Sequence, residues 1–157
     1  MRLRMAVAIA ALVLGTSFTS PAGDEDKEQP VKMNELPAAV KKTVLEVSKG
    51  LKLRGLTREV EEGKTFYEAE LDVNGRTRDV IMDPSGAIVL IEEEVELSSV
   101  PGAVRAAIEK WAEGGTNLLV ETLTRNNQIE AYEAHVQKNG KETELKVDPN
   151  GKPIVEE

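Results

Sequence analysis

The sequence predicts an α+β protein, a tandem repeat of a helix followed by a four-stranded antiparallel meander, with the helices packed on one face of the sheet. Short landmarks recur in the same order about 65 residues apart, the mark of an internally duplicated chain. Leu36-Pro-Ala-Ala-Val40 is answered by Val100-Pro-Gly-Ala-Val104, Tyr67-Glu-Ala69 by Tyr132-Glu-Ala134, Asn74-Gly75 by Asn139-Gly140, and Asp83-Pro-Ser-Gly86 by Asp148-Pro-Asn-Gly151. Within each unit the apolar spacing also changes from helical to alternating, and turn signals divide the alternating runs. The units run over 35–96 and 97–157.

Ahead of them stands an export signal. Arg2 and Arg4 give a positive start, Met5 to Leu14 is apolar, and Ser20 and Ala22 sit at the −3 and −1 positions of a cleavage site. A bilayer span needs about twenty apolar residues, so this run is too short to be an anchor. The expectation is a signal peptide over 1–22 and a soluble exported product in the periplasm or outside the cell. With no Cys anywhere, a lipid anchor on that residue is ruled out. Residues 23–34 (GDEDKEQPVKMN) are polar and acidic and read as a flexible leader. A metal role for Asp24, Glu25 and Asp26 is weaker than that of a solvated charge run.

Each unit opens with a helix. Pro37 and Pro101 suit the first helical position, where a missing N–H costs nothing. Val40, Val44 and Val47 form one apolar stripe; Val104, Ile108 and Trp111 form the other, which makes Trp111 a core residue. Gly50 and Gly114-Gly115 end these helices. Strands follow. A first is expected over about 52–60, and Tyr67, Ala69, Leu71 and Val73 then alternate with polar neighbours. Asn-Gly at 74–75 and 139–140 are hairpin signals, and Asp-Pro-x-Gly is a turn with Pro presetting φ. A strand over about 87–94 closes the first unit. In the second, Tyr132, Ala134 and Val136, then Thr143, Leu145 and Val147, alternate, with a short last strand expected at Lys152 to Val155. A unit of about 60 residues is marginal alone, so the two gain by joining edge to edge.

Composition excludes several chemistries. There are 28 Asp+Glu against 20 Lys+Arg, a net charge of −8 that becomes −10 when Arg2 and Arg4 leave with the signal. Such a chain offers no basic patch for nucleic acid. Without Cys there are no disulfides, no thiol nucleophile and no Cys-ligated zinc or iron–sulfur site. The single His, His135, cannot supply a set of imidazole ligands. No Ser stands in a nucleophile elbow. Gly63-Lys64-Thr65 lacks the earlier Gly of a phosphate loop and reads as a hairpin turn. Neither Asp83 nor Asp148 opens a calcium-loop ligand series. The carboxylates Glu68, Glu70 and Asp72 share one strand face, as a solvated antiparallel face does, and Glu92 to Glu96 is an acidic linker. No catalytic residue, cofactor site or metal site is assigned.

The order Leu-Pro-x-x-Val, Tyr-Glu-Ala, Asn-Gly, Asp-Pro-x-Gly resembles the PepSY domain, and within it the PepSY-like group related in fold to beta-lactamase inhibitory protein. The resemblance covers 36–157. It implies a non-enzymatic exported module that binds and restrains a peptidase or another extracytoplasmic protein. The chain lacks the disulfides and aromatic-rich surface of the lactamase inhibitor.

On that basis the open sheet face is the expected binding surface, with Phe66, Glu68, Glu70, Asp79, Ile81, Glu133 and His135 on it. The partner expected is a protein, an exported peptidase or basic protein, with no nucleic acid and no membrane contact once the signal is cleaved. The alternative is a small-ligand or divalent-cation binder of the cell envelope. Mass spectrometry of the exported chain should show an N-terminus at Gly23; retention of 1–22 would overturn the signal assignment.

Overall fold

The computed structural model describes residues 28–155. The signal peptide expected over 1–22 and the first part of the leader lie outside them. Left-handed turn pairs set the hairpins. Glu62 and Gly63, at φ 48 and 74, join β2 (Lys52–Glu61) to β3 (Lys64–Val73). Asn74 and Gly75, at φ 56 and 88, join β3 to β4 (Arg76–Met82). The same geometry recurs at Asn126-Asn127, between β6 (Thr116–Arg125) and β7 (Gln128–Lys138), and at Asn139-Gly140, before β8 (Lys141–Val147). Two consecutive positive φ values make each a type I′ turn, whose twist matches that of the strands. β5 (Ile88–Glu94) follows the Asp-Pro-Ser-Gly turn. The helices are α1 (Ala38–Val47) and α2 (Gly102–Ala112), and Pro37 and Pro101 stand at their N-caps, one residue earlier than the sequence suggests. No helix among the described residues is long and apolar enough to cross a membrane.

The strands form one antiparallel sheet in the order β1 to β8, where β1 is Gln29–Pro30. This corrects the expected tandem of helix and four-stranded meander: the described residues are mostly sheet, a single eight-stranded sheet carrying two helices. The ladder does not stop at the acidic linker, because Ile91, Glu92, Glu93 and Glu94 of β5 pair with Thr124, Leu123, Thr122 and Glu121 of β6. The polar leader contributes a strand, with Gln29 opposite Arg58 and Pro30 opposite Thr57, instead of running free as far as Asn34. The strand expected at Lys152 to Val155 reduces to a bridge between Val147 and Pro153. Pro153 has no N–H with which to extend a ladder.

Side-chain alternation divides the core. On one face α1 buries Val40 and Val44 against Ala69, Leu71, Val80 and Met82. On the same face α2 buries Val104 and Ile108 against Val120, Tyr132, Ala134 and Val147. The register links the two clusters, since Val80 lies opposite Ile91, and Thr122 lies opposite both Glu93 and Tyr132. Trp111 packs at the margin of the second cluster, half-buried, with the Lys138 ammonium 5.0 Å from its ring centroid. Phe66, Ile81, Leu90, Leu123 and Ala131 make a third, smaller cluster on the face without helices.

The Asp-Pro-x-Gly turns pin the helices to the sheet. Asp83 Oδ1 accepts from the N–H groups of Ser85 and Ala87, and Asp148 Oδ1 from those of Asn150 and Lys152. Each turn ends in a Gly at φ +80 that lies against a helix backbone: a Cβ on Gly86 would stand 2.7 Å from the Ala39 carbonyl oxygen, and one on Gly151 2.5 Å from that of Ala103. The Thr43 hydroxyl donates to the Gly86 carbonyl at 2.7 Å, tying α1 to the first turn. Gly50 has a similar φ, +78, but open space around it. In denaturant titrations Gly86→Ala and Gly151→Ala should each cost about 2–4 kcal/mol, strain plus clash, and Gly50→Ala about 1 kcal/mol. Equal losses at all three positions would show that helix contact contributes nothing.

Candidate functional site

The face without helices carries the acidic residues. Because strand residues alternate, β3 presents Glu68, Glu70 and Asp72 there, and its neighbours present their own carboxylates in register. Glu70 lies opposite Asp79, and Asp79 opposite Glu92, so three carboxylates stand side by side across β3, β4 and β5. A second row begins at Asp72 and Thr77, continues through Glu94, Glu121 and Glu133, and ends at Lys146 of β8. The Thr77 N–H donates to Glu94 at 3.2 Å, which carries this row from β4 to β5. Like charges placed directly opposite destabilise a sheet. Such a pattern is a local cost that folding alone does not explain.

Cations close the ends of the second row. A bulge between Leu53 and Gly55 leaves Arg54 beside β3, where its guanidinium lies 2.6 Å from Asp72 and 3.8 Å from Glu70. The hydrogen bond from Arg54, followed by that from the Gly75 N–H, holds the Asp72 carboxyl below its usual range. At the far end Lys146 lies opposite Glu133.

Burial at the centre is nearly complete. Asp79 and Glu133 are 0% exposed and Glu121 is 2% exposed. No N–H donates to either oxygen of Glu133. Burial, helped by the like charge of Glu144 and opposed by Lys146 and His135, pushes the Glu133 carboxyl up to about 7. His135 stands between two carboxylates, its Nε2 3.4 Å from Glu121 and its Nδ1 3.7 Å from Glu142. Burial works against the charged imidazolium, but the hydrogen bond to Glu121 and the charges of Glu133, Glu121 and Glu144 outweigh it and raise the His135 pKa.

All of the residues expected on the binding face lie on this side of the sheet, in two environments. Phe66 and Ile81, 9% and 7% exposed, belong to the third apolar cluster and are not an open surface. Asp79 and Glu133 are likewise buried, which corrects the expectation of a solvated face at these positions. Glu68, Glu70 and His135 are half-buried and lie on or beside the carboxylate rows. The sequence reading left out Glu92, Glu94, Glu121 and Glu142. The signal available for them was alternation: Glu92 and Glu94 share a parity, as do Glu121 and Leu123, but the Glu92 to Glu96 run looked like a linker.

Among the described residues no group of three or more His, Asp or Glu is placed to hold a metal ion. The two carboxylates nearest His135 lie against different ring nitrogens, so they cannot converge with one nitrogen at the 2.0–2.2 Å a zinc ion requires.

No protein-family model matches the chain, and no curated protein matches it. Solved structures do. A protein of Bacteroides eggerthii DSM 20697, described as periplasmic, superposes with a TM-score of 0.61 at 18% identity, over 76% of this chain and 86% of that one. A DUF2874 family protein of Bacteroides ovatus ATCC 8483 gives 0.56 at 18% identity, over 76% and 85%. A BLIP-like protein of Bacteroides fragilis NCTC 9343 gives 0.51 at 17% identity, over 78% and 85%. The likeness is one of fold. The chain has the fold of DUF2874 family and BLIP-like proteins; none of these three is described as a PepSY protein.

The shifted groups fix how stability varies with pH. An acid whose pKa is raised by folding favours the fold while protonated, so the Glu133 contribution is full below its ordinary value near 4.5 and is lost as pH climbs through about 7. His135, also raised, likewise stabilises at low pH and loses its contribution as pH rises through its folded-state value. Asp72, Asp83 and Asp148, held low, stabilise above their ordinary range and lose that as pH falls. Thermal unfolding should therefore show a maximum on the acid side of neutrality. Glu133→Gln should flatten the alkaline decline and raise stability at about pH 8 by about 1–3 kcal/mol. An unaltered pH profile would overturn this assignment.

Proposed function

We propose that this chain is a non-enzymatic exported protein-binding module, acting in the periplasm, that docks a basic segment of another extracytoplasmic protein on its carboxylate-lined sheet face. An exported peptidase held in check in this way is the partner the sequence resemblance suggests. The reading rests on the half-buried carboxylates Glu68, Glu70 and Glu94, which lie on one face beside the buried Asp79, Glu92, Glu121 and Glu133. Anionic side chains set close together in partly dry surroundings gain most when a cationic surface covers them. The export-signal pattern and the periplasmic description of a fold neighbour support the location. The BLIP-like description of another supports binding over catalysis.

A general acid would need a carboxyl of raised pKa that can touch substrate. Glu133 has the raised pKa and no exposed surface. Binding of a protein is also favoured over binding of a divalent cation, because no set of metal ligands converges among the described residues.

Used as bait on an exported-protein extract, the mature chain should capture a basic protein at low salt and release it at high salt, as screened charge pairs do. Glu68→Lys with Glu70→Lys should abolish capture while leaving the unfolding temperature within a few degrees. Recovery of no specific protein at either salt, or equal capture by the double variant, would overturn the reading.

A further inference from the structure

Between Thr116 and Leu119 the pairing of β6 with β7 loses register, and Asn117 sits at φ 56. Beside this break lies a cleft of about 400 Å³. Glu94, Glu121, Glu142 and His135 line it, together with Leu118 and Leu119, and no Lys or Arg is among the lining residues. Next to its wall Glu133 pairs across the ladder with Glu121 and precedes His135 by two positions on the same face. It is 0% exposed, and no N–H donates to either of its oxygens. A buried carboxylate without a donor is expensive to maintain, and a cleft walled by further carboxylates is short of positive charge.

We propose that this cleft receives the guanidinium of an arginine side chain carried by the docked partner. The proposal rests on the reading of the sheet face as a docking surface for a basic protein. A metal ion is disfavoured by the opposed placement of Glu121 and Glu142 about the imidazole. The same placement suits a planar group whose donors diverge, since one edge can bond Glu121 while another bonds Glu142. An ammonium is a compact point charge and would serve one carboxylate at a time. Leu118, 38% exposed, and Leu119 offer apolar surface to the methylene stem.

The imidazolium of His135 and an incoming guanidinium compete for the same carboxylates. The groups facing His135 are Glu121 from β6, Glu133 from β7, Glu142, Glu144 and Lys146 from β8, and Glu94 from β5. All but Lys146 are acids. Loss of the histidine proton removes the cation that competes for Glu121 and Glu142, so guanidinium binding strengthens as pH rises through the His135 pKa.

The experiment titrates the mature chain with a blocked arginine, N-acetyl-arginine methylamide, and with the neutral citrulline counterpart, following the His135 ring resonances by NMR. The arginine compound should give saturable shifts and the citrulline compound none. Binding should be several-fold tighter at about pH 8 than at about pH 6, and His135→Gln should remove that dependence. Glu142 is 42% exposed at its side chain, so Glu142→Gln cannot plausibly unfold the chain; it should weaken binding about threefold or more. Equal response to both compounds, no saturable shift, or an unchanged affinity in Glu142→Gln would overturn the site. Salt-sensitive partner capture that survives Glu142→Gln alongside a silent arginine titration would remove the cleft and keep the docking face. An arginine response without capture of any partner would do the reverse.

Discussion

Everything on the helix-free face depends on the ladder between β5 and β6. Those four residue pairs are where the chain, having laid down a helix and its strands, resumes the same sheet after a second helix. Without them two sheet edges would stand exposed, each a template for unwanted pairing. With them Glu92 meets Leu123, where the first carboxylate row ends, and Glu94 meets Glu121, so the second row runs on into the second half of the molecule. The third apolar cluster is built the same way, since Ile81 and Leu90 come from one side of the junction and Leu123 and Ala131 from the other.

The two faces therefore do different work with the same strands. Toward the helices the alternation delivers Val, Leu, Met and Tyr, and burial there holds the fold together. Away from them it delivers carboxylates packed more closely than a stable sheet would choose. Arg54 offsets the repulsion at one end and Lys146 at the other. Between them burial pushes the Glu133 carboxyl up to about 7. The stability of the helix face tolerates the strain of the acidic one.

Much of the local structure was legible from the residues. The stripes Val40/Val44 and Val104/Ile108 gave both helices, Asn-Gly gave two hairpins, and Asp-Pro-x-Gly gave turns whose final glycines meet helix backbones. The Asn126-Asn127 turn was missed because Asn at its second position replaces the usual Gly. Long-range pairing was the harder part. Nothing in Gln29-Pro30 resembles a strand, and its pairing with Thr57 and Arg58 exists only because β2 offers an edge. The acidic run at 92–96 has the composition of a linker, yet Glu92 to Glu94 are the seam of the sheet. Alternation puts these residues on one side of the sheet but says nothing of its dryness, because burial of Asp79 and Glu133 depends on neighbouring strands that a single strand's pattern cannot reveal. His135 was expected on the open face; its position between Glu121 and Glu142 follows from three strands brought into register.

The outermost strands have a consequence for how long the sheet can grow. At one border Pro30 has no N–H to offer to a further strand. At the other, Val147 is bridged to Pro153 and the Ile154 N–H is bonded to the Lys146 carbonyl, so the returning tail occupies the end of β8. The remainder of that border carries Lys141, Glu142 and Glu144, whose charges resist lateral stacking of copies. Both borders are thereby guarded against pairing with further copies through the backbone, and among the described residues the sheet has eight strands.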